Sequence, residues 1–176
     1  AYCSPHYHPM SQGIALEGMR LVKEYLPRAF ANGTDIEARA QMMAAAAMGA
    51  TAFQKGLGAI HAISHPVGAI YNTHHGTTNA AVMTQVLAFN RPEIEARIAA
   101  AAAYLGIDGG FDGFVAYVTG LIAGLGIPSS LSGLGISDPD IDELTRLALT
   151  DPSCGGNPVA LTEANLKPLI AACFEG

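Results

Sequence analysis

The chain has 176 residues, 50% hydrophobic and 14% charged, with a formal net charge of −6. That length suits one globular domain with its own core, and the acidic balance excludes a nucleic-acid binder built on clustered Lys and Arg. The charge content is low for an ordinary domain and points to apolar surface that meets another domain or a partner subunit.

Residues Ala1 to Pro5 read as neither a helix cap nor a flexible tail, as if the chain were entered midway, and nothing there resembles a signal peptide. Ile14, Met19, Val22, Leu26 and Phe30 lay one apolar stripe on a helix from about Pro9 to Ala31. Pro9 and Ser11 suit its start and Gly33 its end. Asp35 opens a second helix to about Lys55, rich in Ala and Met, whose small side chains let neighbours approach closely. After Gly56 and Gly58 comes Ala59–Val67, which carries histidines. Thr77 to Phe89 is helical, and Arg91–Pro92 starts a further helix with Ile94, Ile98 and Leu105 on its core face and Gly106 at its end.

A helix over Phe111–Leu125 follows. The uncharged run Phe114 to Ser137 is mainly apolar only as far as Ile127, short of the roughly 20 residues a spanning helix needs. It reads as a buried helix and a Gly/Ser/Pro loop, with no membrane partner. Ser137 or Asp138 caps a helix from Pro139 to Thr150, Asp151 to Pro158 is a loop, and Thr162 caps a last helix to Phe174 that Pro168 bends. The sum is an all-α fold: a multi-helix bundle of about eight helices, one domain over residues 1–176, and no sheet. Cys3, Cys154 and Cys173 have neither a disulfide framework nor a zinc-knuckle spacing, which fits a reducing, cytoplasmic setting.

His61, His65, His74 and His75 account for four of the six histidines. His61 and His65 are one helical turn apart, about 5.4 Å, on one face. Neutral imidazole ligates zinc, iron, nickel and copper. Residue 62 is Ala, so the zinc-protease pattern with Glu after the first His is absent. Pro66 should kink or stop the helix at His65, and Gly68 with Tyr71-Asn72-Thr73 lets the chain turn back and bring His74 or His75 toward His61. From spacing alone the favoured pair is His61 and His65. The plainer reading is two polar residues satisfied in an Ala-rich core.

The segment Gly58-x-x-His61-x-x-x-His65-Pro-x-Gly68, followed by His75-Gly76-x-x-Asn79-Ala80, resembles the second signature of the iron-containing (group III) alcohol dehydrogenases. The likeness extends to Ala1-Tyr2 and the loop into Pro9-Met-Ser11, to Ala47-x-Gly49-x-x-Ala52-Phe53, to Gly126-Ile-Pro128 with Leu131 and Gly135-Ile-Ser, and to Cys154-Gly-Gly-Asn157-Pro158, in order over nearly the whole chain.

The resemblance implies the helical, dehydroquinate synthase-like C-terminal domain of a two-domain enzyme. The N-terminal nucleotide-binding domain lies outside these residues. It implies a divalent metal, usually iron and sometimes zinc, held by an Asp and three His. Here His61 and His75 would be ligands, and an Asp-x-x-x-His motif before Ala1 would supply the rest. His65 would stand near the nicotinamide of NAD or NADP and relay the alcohol proton. Ala52, Cys154 and Asn157 would line the substrate side for an alcohol or aldehyde. His74 replaces a residue that is often Pro and receives no role, though it could serve as a spare ligand. With two of its ligands elsewhere, the chain alone should bind metal weakly and turn over no alcohol. Glycerol dehydrogenases and dehydroquinate synthases share the architecture and are the nearest rivals. A non-catalytic helical interaction module is the reading from another class, and self-association into a homo-oligomer would fit the apolar surface.

Overall fold

Helix starts are set by local capping. In a computed structural model covering residues 1–176, His8 accepts a hydrogen bond from the Ser11 amide at 3.1 Å and Pro9 takes the first position of α1, Pro9–Ala31. Asp35 accepts from the Ala38 amide at 3.0 Å and starts α2, Ile36–Ala52. The remaining helices are α3 (Ala59–Tyr71), α4 (His75–Tyr104), α5 (Gly110–Gly124), α6 (Ile141–Thr150) and α7 (Glu163–Glu175). Short 3₁₀ turns occupy Phe53–Lys55, Ser132–Leu134 and Pro152–Gly156, and there is no strand. The cap of α6 is Asp140, which accepts from the Glu143 amide at 2.9 Å, rather than Ser137 or Asp138. The Thr162 amide donates to Asn165 Oδ1 at 2.8 Å at the head of α7, the reach-back half of a capping box.

Two prolines behave differently from their local expectation, for one reason. Pro66 lies inside α3, which neither stops nor divides at His65 but continues to Tyr71. Pro92 lies inside a single 30-residue α4 in place of two shorter helices, so seven helices are found where about eight were expected. In α4 the positions Val82, Val86, Asn90, Ile94, Ile98 and Ala102, four apart, are all buried across the proline. That unbroken stripe, and the complete burial of Ala62, Ile63 and Val67 in α3, gain more than the backbone bond each proline removes.

Two apolar clusters result. One joins α3, the first half of α4, α6 and α7 around Ile63, Val67, Leu144, Leu166 and Ile170, all fully buried. The other joins the second half of α4 to α5 through Ile94, Ile98, Phe111, Phe114 and Ile122. The α1–α2 hairpin packs on itself through small residues: a Cβ on Gly18 would sit 3.5 Å from Met48 Cβ. It makes no extensive contact with α4 or α5. A mostly apolar cavity of about 620 Å³ lies between, lined by residues such as Met19, Met83, Leu87 and Phe114 and reaching His61. Met10, Phe30, Ile36 and Met43 stand exposed on the hairpin, the apolar surface that the low charge content implied. No helix is long and apolar enough to cross a membrane.

The first residues are strapped down. Lys55, 1% exposed, donates from Nζ to the Tyr2 and Ser4 carbonyls at 2.7 and 2.6 Å. Ser4 Oγ donates back to the Lys55 carbonyl at 2.8 Å. Arg97 adds hydrogen bonds to the Cys3 and Ser4 carbonyls, both at 2.9 Å. Burial pushes the Lys55 ammonium below its ordinary value, and the neighbouring Arg97 charge pushes it further.

Leu166 is 0% exposed at the centre of the first cluster. Leu166→Ala is expected to cost about 2–5 kcal/mol in chemical denaturation. Cys173 is also 0% exposed, and burial raises its thiol to about 12. It should resist alkylation at pH 8 in the native protein and react only on unfolding, a difference that mass spectrometry of iodoacetamide-treated samples reads directly.

Candidate metal centre

Helix α3 presents His61 and His65 one turn apart, and the chain then reverses. Asn72 makes the reversal in the left-handed region, at φ 53°, and His75 becomes the first residue of α4. The consequence is a triangle of imidazoles: ring centroids lie 5.6 Å apart for His61–His65, 5.3 Å for His61–His75 and 5.4 Å for His65–His75. His65 and His75 are stacked, with 16° between their planes. Phe53 meets His61 edge-on at 5.5 Å.

His74 is not one of the three paired rings. Its Nδ1 accepts from the Thr77 amide at 3.4 Å, and it serves as the N-cap of α4. The reversal thus brings His75 to His61 and uses His74 as a helix cap.

The surroundings set the charge state of the rings. Burial, then the nearby His75 and His65, lower His61 to about 4. It is therefore neutral near pH 7, with a lone pair to offer a metal. His65 is hydrogen-bonded through Nδ1 to Asp151 Oδ2 at 2.8 Å. Burial works to raise the Asp151 carboxyl, but hydrogen bonds from His65 and the Ser153 amide outweigh it and hold the group below the usual carboxylate range. An ionised carboxylate only accepts, so the proton of a neutral His65 sits on Nδ1 and the Nε2 lone pair is left free. The Asn79 amide lies 3.1 Å from His75 Nε2, and its buried Oδ1 has no hydrogen-bond partner.

In the sequence Asp151 marks only the start of a loop. Its partnership with His65 spans 86 positions, and no local pattern announces it. Of the residues expected on the substrate side, Ala52 is 1% exposed and lines the cavity that reaches His61. Cys154 lies half-buried on the Pro152–Gly156 turn, its thiol raised first by burial and then by Asp151. Asn157 is turned inward, 6% exposed, with its amide engaged by Ala59, Asn90 and Val159. The side chains of the 176 residues do not by themselves place three His, Cys, Asp or Glu groups so as to hold a metal ion.

The model of the C-terminal part of the Fe-containing alcohol dehydrogenase family matches residues 1–174. The chain belongs to that family. It is 36% identical to the NAD-dependent methanol dehydrogenase of Bacillus methanolicus, over 97% of this chain and 47% of that protein. It is 34% identical to the 4-hydroxybutyrate dehydrogenase of Cupriavidus necator, over 96% of this chain and 46% of the other. Among solved structures, a 1,3-propanediol oxidoreductase superposes with a TM-score of 0.92 at 28% identity, covering 98% of this chain and 47% of its own. The iron-containing alcohol dehydrogenase of Thermococcus thioreducens gives 0.88 at 27% identity, covering 99% and 47%. The chain spans about half the length of the family members it matches.

Asp151→Ala should release the His65 tautomer. Long-range proton–nitrogen NMR is expected to show one Nδ1–H form in the original chain and a mixture in the variant; an unchanged tautomer would remove Asp151 from this role.

Proposed function

We propose that this chain is the helical half of a metal-assisted alcohol dehydrogenase, with His61 and His75 as metal ligands and His65 as proton relay. The observation that carries the reading is the imidazole triangle, in which each ring has a different partner. His61 is half-buried and neutral, His75 stands beside Asn79, and His65 is oriented by Asp151. The donor set fits a divalent first-row ion, since neutral imidazole is the ligating form. The family's description favours iron, with zinc as the alternative on the same donors. With no complete ligand set in these residues, the remaining ligands, by resemblance one Asp and one His, come from outside them.

A bound divalent metal supplies Lewis acidity at the substrate oxygen. His65 holds its own proton at Nδ1 against Asp151 and has Nε2 free to take the alcohol proton or return it. The mostly apolar cavity that reaches His61 would seat the carbon part of an alcohol or aldehyde beside the rings. The reaction class is hydride transfer between an alcohol or aldehyde and a nicotinamide cofactor. The cofactor seat belongs to the half of the relatives that this chain does not span. NAD is favoured over NADP because the Bacillus methanolicus relative is NAD-dependent.

Anaerobic titration of the chain with Fe(II) or Zn(II), followed by the imidazole NMR signals, tests the ligand assignment. Binding should be weak, should shift His61 and His75, and should vanish in His61→Ala and His75→Ala but survive in His74→Ala. Loss in His65→Ala with retention in His75→Ala would return the assignment to the His61–His65 pair. The chain alone, given metal, NAD and simple alcohols, is expected to form no NADH at 340 nm; turnover would refute the need for ligands and a nucleotide seat from elsewhere.

A further inference from the structure

Helix α3 starts without a cap of its own. Its N-cap is Gly58, which has no side chain to offer the free amides of the first turn. The missing group arrives from 98 positions away: Asn157 Oδ1 accepts from the Ala59 amide at 3.0 Å. The same oxygen accepts from Asn90 Nδ2 at 2.9 Å, while Asn157 Nδ2 donates to Asn90 Oδ1 at 2.8 Å and to the Val159 carbonyl at 2.8 Å. Both carboxamides are buried, 5% exposed for Asn90 and 6% for Asn157, and neither leaves a buried atom unpaired.

The fit is close on both sides. A Cβ on Gly58 would stand 2.7 Å from Asn157 Oδ1, and a Cβ on Gly156 would stand 1.9 Å from the Leu57 carbonyl oxygen. Two glycines thus let the Pro152–Gly156 turn and the Gly56–Gly58 segment press together. That turn follows directly on Asp151, which holds His65. Asn90 lies in the middle of α4, the helix that begins with His75.

The geometry assigns Asn157, locked by Asn90, as the positioning residue of the histidine site. It caps α3 two residues before His61 and ties that helix start to the loop that orients His65 and to the helix that carries His75. The assignment rests on the reading of the histidines as the metal site. In this role Asn157 acts through the start of α3 and so through the ring of His61.

The test is amide hydrogen exchange, His61 ring NMR and Zn(II) titration on the full chain. Asn157→Ala should speed exchange of the Ala59 amide about five- to tenfold, shift the His61 ring signals and weaken Zn(II) binding by a similar factor. Asn157→Asp keeps the Ala59 acceptor but loses both Nδ2 donors, so it should protect Ala59 better than Asn157→Ala while still lowering Tm. Ile98→Ala, in the second cluster, should lower Tm while leaving Ala59 exchange and the His61 ring unmoved. Should Asn157→Ala fail to fold, Gly58→Ala displaces the cap by contact alone; φ at Gly58 is −151°, which any residue adopts. It should reproduce the exchange and ring effects. Unchanged Ala59 protection in both cap variants, or an equal disturbance from Ile98→Ala, overturns the assignment. If the original chain shows no ring response to Zn(II), the metal reading fails, while the exchange and ring data still decide the positioning role.

Discussion

A buried carboxamide is worth having only when every one of its polar atoms is paired. The Asn90–Asn157 pair meets that condition. Their side chains bond each other twice, and the leftover positions go to the Ala59 amide and the Val159 carbonyl. Most of what distinguishes this fold hangs from that arrangement. It sets where α3 begins, and hence the height of His61. It holds the Pro152–Gly156 turn against residues 56–58, and hence carries Asp151 to His65. It accounts for a polar residue on the otherwise apolar stripe of α4.

The strap at residues 2–4 follows a related logic with charge in place of amides. Lys55 and Arg97 converge on the carbonyls of Tyr2, Cys3 and Ser4 with no carboxylate between them. Two cations near one another in a buried place are costly unless each finds strong acceptors. The carbonyls serve as those acceptors, and the residues leading into α1 are thereby fastened to the 3₁₀ turn after α2 and to α4. The loop that precedes α3 is bounded by that strap on one side and the amide pair on the other.

The sequence made the helical class plain because periodicity and caps are local. Pro9, Asp35 and Thr162 mark starts that the structure keeps. It misled at Pro66 and Pro92, where local preference opposed a stripe of burial longer than any window in which proline is judged. Within the histidine segment, spacing put His61 and His65 on one face, but spacing could not weigh His75, which depends on a reversal through a single left-handed residue, Asn72. Asp151, Asn90 and the inward role of Asn157 were out of reach, since each is defined by a partner at least 67 positions away. Residues whose purpose is to join distant segments leave no pattern in their own neighbourhood.

Helix α4 has one more consequence. Its 30 residues run through both apolar clusters, contributing Val82 and Val86 to one and Ile94 and Ile98 to the other. At about 1.5 Å per residue it is a rod some 45 Å long. Each cluster packs on its own half of that rod, which makes α4 the one helix common to both. The α1–α2 hairpin makes no extensive contact with it. Fastened at its base by the strap and facing the cavity along its length, it forms one wall of the space that reaches His61.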